Sequence, residues 1–257
     1  MRRAGVVLIA IGLFVYAAIC GALYFAQRSL LYHPTRESRS DAAEAMTIET
    51  DGATLKVWRV PQPGDDALLY FGGNAEDVAA NIAPFAAALP NTALYLANYR
   101  GYGGSTGAPA EKAILADAEI LFDRVRAQHA RVAVVGRSLG SGVAVHLASV
   151  RGDVSKLALV TPYDSVLRIA KGQLPFVPVS WLLEDTFDSV AKAPHVHAPV
   201  LVLLAELDSV IPRANSERLI AAFGAGQASV RTIRGANHDS ISSSPDYTRA
   251  IAEFVQN

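Results

Sequence analysis

The chain has one cysteine, Cys20, in 257 residues. That excludes an intramolecular disulfide framework and any zinc site built on cysteine ligands. Charge of one sign is also missing: 23 Lys and Arg stand against 24 Asp and Glu, for a net −1. Without a basic run there is no electrostatic footprint for nucleic acid. No internal repeat and no low-complexity tract breaks the sequence. What is present is enough chain for one large α/β domain with a sizeable core.

The N-terminus is a separate unit. Residues 4–26 carry no charged side chain, and Val6-Val-Leu-Ile-Ala-Ile-Gly-Leu-Phe-Val-Tyr16 is strongly apolar. Such a run crosses a hydrocarbon core of about 30 Å as a helix. Tyr16 and Tyr24, with Arg2, Arg3 and Arg28, supply interfacial anchors. A cleaved signal peptide is the rival reading, but its apolar core spans only about 7–15 residues before a small-x-small site. Here the run is longer, and no clean Ala-x-Ala follows. Residues 1–30 are therefore expected to anchor the chain in the cell membrane. Arginines flank both sides, so the side is not set. Residues 31–45 form a connector, where Pro34 argues against continued helix, and residues 46–257 form the soluble domain.

That domain opens with two strand-like pieces around Asp51-Gly52, a hairpin signal. Apolar runs with no alternation follow, such as Ala67-Leu-Leu-Tyr-Phe71, Thr92-Ala-Leu-Tyr-Leu-Ala97 and Val132-Ala-Val-Val135. They read as strands of a parallel sheet covered on both faces. The run at Val132 enters Gly136-Arg137-Ser138-Leu139-Gly140 and then an apolar helical stretch. A G-x-S-x-G between strand and helix is a nucleophile elbow, a tight turn that lifts the serine hydroxyl above the sheet. An ordinary strand-turn-helix with an exposed serine fits the five residues alone. Upstream, Ala67-Leu-Leu-Tyr-Phe71 delivers the chain into Gly72-Gly73-Asn74-Ala75. A glycine pair there leaves backbone N–H groups free for an anion. The N–H groups of Asn74 and Leu139 are the expected oxyanion donors, although Asn74 also suits a helix N-cap.

Three segments together resemble a known family: Asn98-Tyr-Arg-Gly-Tyr-Gly-Gly-Ser-Thr-Gly107, Gly73-Asn74-Ala75 and Gly136-Arg-Ser-Leu-Gly140. They look like membrane-anchored serine hydrolases of the Bem46 type, bacterial members included, within the α/β-hydrolase superfamily of the ABHD13 and ABHD17 kinds. The connector Phe25-Ala-Gln-Arg-Ser-Leu-Leu-Tyr-His-Pro34 is also similar to bacterial members. Gly72 stands where the family usually has His, and Asn98 where it usually has Asp. The first departure bears on how the oxyanion loop is held. The resemblance implies an α/β-hydrolase fold and a Ser-His-Asp triad.

An acid and then a histidine must follow the serine in this fold. Pro199-Val-Leu-Val-Leu-Leu-Ala205 is a strand that ends at Glu206-Leu207-Asp208. A carboxylate there stands at the carboxyl edge of the sheet, where ligand sites form. Asp208 is the expected acid, and the resemblance agrees; Glu206 and Asp164, which also follow strands, compete. Of the six histidines, His238 alone lies on a loop after the last strand. His195 and His197 alternate before a strand, but no spaced carboxylate or cysteine completes a metal site.

Residues 162–194 break the β-α rhythm with Pro175, Pro178 and Trp181 among bulky apolar side chains. They read as a short lid over Ser138 that lines an apolar pocket. The expected fold is thus a mostly parallel α/β-hydrolase sheet flanked by helices, with a lid and one N-terminal transmembrane helix. The expected chemistry is hydrolysis of a lipid-like acyl ester or thioester by Ser138, His238 and Asp208, with no metal and no cofactor. A peptidase or amidase on the same triad, and a silent binding protein, remain alternatives. Oligomeric state and natural substrate are not legible.

Overall fold

The computed structural model of the protein describes residues 2–257. Helix α1 (Arg2–Leu31) is followed by the hairpin β1 (Glu44–Thr50) and β2 (Ala53–Val60). Then come β3 (Asp66–Phe71), a short 3₁₀ turn, α2 (Ile82–Ala88), β4 (Thr92–Ala97) and α3 (Glu111–Arg126). The centre of the chain is β5 (Arg131–Arg137), α4 (Leu139–Val150) and β6 (Val154–Val160). Three short helices, α5 (Val166–Gln173), α6 (Val179–Leu182) and α7 (Ser189–Lys192), precede β7 (Val200–Ala205). The fold closes with α8 (Arg213–Ala222), β8 (Ala228–Ile233) and α9 (Pro245–Gln256).

The eight strands form one sheet in the order β1-β2-β4-β3-β5-β6-β7-β8. Pairings from β4 to β8 are parallel, and only the first two pairings, β1 with β2 and β2 with β4, are antiparallel. The turn at Gly52, with φ of 74°, makes the hairpin. The runs that lack alternation in sequence still alternate between two cores. Leu69 and Phe71 pack with α3 and α4, whereas Leu68 and Tyr70 pack with α2 and α9. Each such fully buried side chain stabilises the fold by about 1.5–3 kcal/mol. Pro84 lies in the first turn of α2, where a missing N–H costs no helical bond.

Helix α1 contains a stretch, Arg3–Leu31, long and apolar enough to cross a membrane. Its end is not a free tether. Tyr32 is buried, and the His33 N–H reaches both Asn74 Oδ1 at 2.9 Å and Tyr102 Oη at 3.0 Å. Residues 32–43 contain no helix or strand and are hydrogen-bonded onto the domain. Because the sheet is parallel here, β3, β5, β7 and β8 deliver their following loops to one edge. Gly73, Ser138, Asp208 and His238 stand on those four loops.

Candidate active site

Ser138 sits between β5 and α4 with φ 48° and ψ −115°, a backbone conformation that non-glycine residues rarely occupy. The flanking glycines permit it. A Cβ at Gly136 would run into the Gly140 carbonyl oxygen and come within 2.6 Å of Ala144 Cβ. One at Gly140 would strike the Phe71 carbonyl oxygen and lie 2.7 Å from that of Gly72. The elbow is therefore packed backbone against backbone, and the serine carries the strain.

His238 Nε2 lies 2.9 Å from Ser138 Oγ, and His238 Nδ1 lies 2.9 Å from Asp208 Oδ2. An Nδ1–H donating to the carboxylate leaves Nε2 as the acceptor for the serine hydroxyl. Asp208 Oδ1 also accepts the N–H groups of Val210 and Ile211, each at 2.9 Å. Burial raises the Asp208 carboxyl. The hydrogen bond from His238, the backbone N–H groups and the His238 charge outweigh it and hold the group below the ordinary aspartate value.

The competing carboxylates have other work. Asp164 is fully buried and bound by Arg168 at 2.8 Å, Arg218 at 2.7 Å and Asn215 at 2.7 Å. Glu206 accepts the Gly235 N–H at 2.7 Å and so braces the histidine loop. His129 pairs with the Tyr95 hydroxyl and His146 with Glu119, each at 2.9 Å.

The loop after β3 lies against the serine: a Cβ at Gly73 would stand 3.4 Å from Ser138 Cβ. Asn74 does not cap the following turn; Asp77 does, accepting the Ala79 N–H at 3.1 Å. The Asn74 side chain instead donates from Nδ2 to the Leu31 carbonyl at 2.6 Å and accepts the Tyr102 hydroxyl at 2.8 Å through Oδ1. Among the described residues, neither the Asn74 nor the Leu139 N–H donates to a protein acceptor. The glycine-rich 98–107 segment supports this loop from behind, since the Tyr99 hydroxyl also donates to the Gly72 carbonyl at 2.7 Å.

Two residues at the site are not legible as such from motif spacing. Arg137, the variable position before the serine, is buried and pairs with Glu76 at 2.9 Å. Its second terminal nitrogen donates to the His238 carbonyl at 2.9 Å. Glu76 also accepts the Tyr70 hydroxyl at 2.7 Å, Asn81 Nδ2 at 2.8 Å and the Gly73 N–H. One ion pair thus links the loops that carry Gly73, Ser138 and His238. Burial lowers the Arg137 guanidinium, but the Glu76 charge and hydrogen bond, with the Tyr70 and Tyr247 hydroxyls, together outweigh it and hold the group above its ordinary value. An arginine ending an apolar strand, and a carboxylate in the loop after a glycine pair, are the signals that could have matched them.

A cavity of about 330 Å³ opens over Ser138. Leu23, Leu30 and Leu31 of α1, Ile169 and Leu182 of α5 and α6, and Ile211 form much of its apolar wall. Within residues 162–194, side chains from Tyr163 to Leu183 contribute to the cavity wall, whereas Phe187 and Ala193 are fully buried in the core. Among the described residues, no three His, Cys, Asp or Glu side chains gather to hold a metal ion.

A mostly parallel eight-stranded sheet with an elbow serine and a histidine within reach defines an α/β hydrolase. An esterase of Pyrococcus furiosus superposes with a TM-score of 0.69 at 17% identity, over 88% of this chain and 98% of that one. No family model matches the chain. An uncharacterized protein of Mycobacterium tuberculosis is 35% identical over 230 residues, which is 83% of this chain and 81% of the other. Protein bem46 of Schizosaccharomyces pombe is 26% identical over 279 residues, covering 99% and 91%. The chain belongs to the Bem46-like α/β hydrolases.

Proposed function

We propose that the protein is a membrane-anchored serine esterase or thioesterase that works through Ser138, His238 and Asp208. The observation that carries the proposal is the unbroken hydrogen-bond chain Asp208–His238–Ser138 at the foot of an apolar cavity. In this reading Ser138 Oγ attacks the acyl carbon while His238 Nε2 takes its proton. Asp208 fixes the tautomer and stabilises the imidazolium. The N–H groups of Asn74 and Leu139 receive the oxyanion, each worth about 2.7–4 kcal/mol of barrier. His238 then returns the proton to the leaving alcohol or thiol. Water, activated by the same histidine, releases the acid and regenerates the serine.

Anchoring by α1 is supported by contact as well as by length. Tyr16, inside the apolar run that cleavage would remove, donates to the Phe176 carbonyl at 2.9 Å, and Leu23, Gln27, Leu30 and Leu31 line the cavity. The cavity lining includes no charged side chain that could receive a peptide terminus, which favours esters over peptides. Hydrolysis of p-nitrophenyl esters, run beside aminoacyl anilides, tests the choice. Ester turnover that is lost in Ser138→Ala is expected; anilide turnover alone would overturn the esterase reading.

A further inference from the structure

Helix α1 and the lid are bound together far below the end of the helix. The Tyr16 hydroxyl donates to the Phe176 carbonyl at 2.9 Å. Nearer the domain, the Tyr24 hydroxyl donates to Glu184 at 2.8 Å, Gln27 exchanges hydrogen bonds with Leu182 and Glu184, and Arg28 pairs with Glu184 at 2.9 Å. The lid therefore lies along the helix rather than above it.

Depth follows from helical geometry. A span of about 20 residues crosses the hydrocarbon layer. Counted from Ala4, the first uncharged residue, such a span ends at Leu23. Tyr16 stands seven residues inside that limit, which is about 10 Å at a rise of 1.5 Å per residue, so on this count it lies within the layer and not at the interface where its residue type alone would put it. Any placement nearer the domain puts Tyr16 deeper. The lid tip at Phe176 is fixed at that level.

Its composition suits that place. Phe176 is 87% exposed and Trp181 88% exposed. Leu174, which also borders the cavity, is 42% exposed, and helix α5 has no fully buried residue. Large apolar side chains exposed in a cluster mark a membrane or partner surface. Here the cluster belongs to a segment hydrogen-bonded to α1 at Tyr16, and α1 itself exposes Phe14 and Phe25. A lipid surface is therefore the occupant it fits.

We infer that residues 174–183 of the lid are immersed in the bilayer and that the cavity over Ser138 takes its substrate sideways from the membrane, as an ester or thioester whose acyl chain is already in lipid. This rests on the serine-hydrolase reading for the chemistry, but the immersion of the lid does not. Short water-soluble esters reach Ser138 by the same cavity without needing the lid in lipid.

The chain's two tryptophans make a direct test, because Trp58 is buried at 3% exposure and Trp181 is not. Full-length Trp58→Phe is reconstituted into phosphatidylcholine vesicles whose acyl chains carry bromine. Trp181 emission is expected to be quenched by the bromolipid and spared by aqueous iodide. Quenching by iodide and not by bromolipid overturns the inference. In a second arm, Phe176→Asp/Trp181→Asp is compared with the parent in plain phosphatidylcholine vesicles; both side chains lie outside the cavity lining. Charge placed in hydrocarbon is expected to slow hydrolysis of a vesicle-borne long-chain ester by about tenfold or more, with p-nitrophenyl acetate turnover unchanged. Equal loss on both substrates, or loss on neither, overturns lateral entry. If the parent protein hydrolyses neither ester, the esterase reading fails, and the tryptophan measurement still decides the depth of the lid.

Discussion

Arg137 and Glu76 form a buried ion pair at 2.9 Å, and each partner holds a different loop of the candidate active site. Arg137 donates to the His238 carbonyl, and Glu76 accepts the Gly73 N–H. Breaking a buried pair leaves one charge without compensation, at a cost of about 3–5 kcal/mol. Glu76→Gln is expected to lower thermal stability by several degrees in detergent solution and to reduce kcat as well. Arg137→Met/Glu76→Leu should recover part of the stability without recovering kcat, because the loops are then packed but no longer tied. An unchanged melting temperature in Glu76→Gln would contradict the role given to the pair.

The elbow glycines should tolerate nothing larger. Their added Cβ atoms would meet backbone, which cannot swing aside as a side chain can. Gly140→Ala is expected to destabilise the fold by about 1–3 kcal/mol or more, and Gly136→Ala likewise. Gly152, where a Cβ meets nothing within 4 Å, is the control that should accept alanine freely. Thermal unfolding of the three variants side by side checks the ranking.

Acid should weaken the fold through Asp208. Its folded value is depressed, so the stability it contributes is fully present above the unfolded aspartate value of about 3.9. That contribution is lost as the pH falls through the lower folded value. Asp208→Asn is expected to flatten this part of the stability–pH curve and to cut kcat by about 10⁴-fold, since an amide can hold the wrong imidazole tautomer. An acid limb of unchanged steepness in the variant would contradict the assignment.

The apolar cavity should read chain length. Each buried methylene contributes about 0.8 kcal/mol, or about fourfold in kcat/KM, until the space is full. A p-nitrophenyl ester series is expected to climb and then level off. Ile169→Trp, which narrows the wall, should bring the plateau to shorter chains while leaving acetate hydrolysis within about twofold.

Much of this was legible in the sequence, and the division has a physical basis. The parallel strands show as unalternating apolar runs because both sheet faces are covered, and the elbow shows because its glycines are forced by close backbone contact. Asp208 and His238 are legible by order along the chain, since parallel strands deliver successive loops to one edge. The contacts that spacing does not encode were missed. Arg137 and Glu76 are 61 positions apart and meet only after β3 and β5 pair. Tyr16 and Phe176 are 160 apart, so the apolar N-terminal helix reads as a separate unit although it forms a wall of the cavity. Which side chains of residues 162–194 line the cavity is hidden for the same reason: Phe187 and Ala193 look like their neighbours in sequence, but they pack in the core.

The proposed hydrolysis depends on one nucleophile. The decisive measurement is treatment of the full-length protein in detergent with a fluorophosphonate, followed by peptide mass spectrometry. A single adduct on Ser138 is expected, absent in Ser138→Ala and strongly slowed in His238→Ala. An adduct on another residue, or labelling that survives Ser138→Ala undiminished, would contradict it.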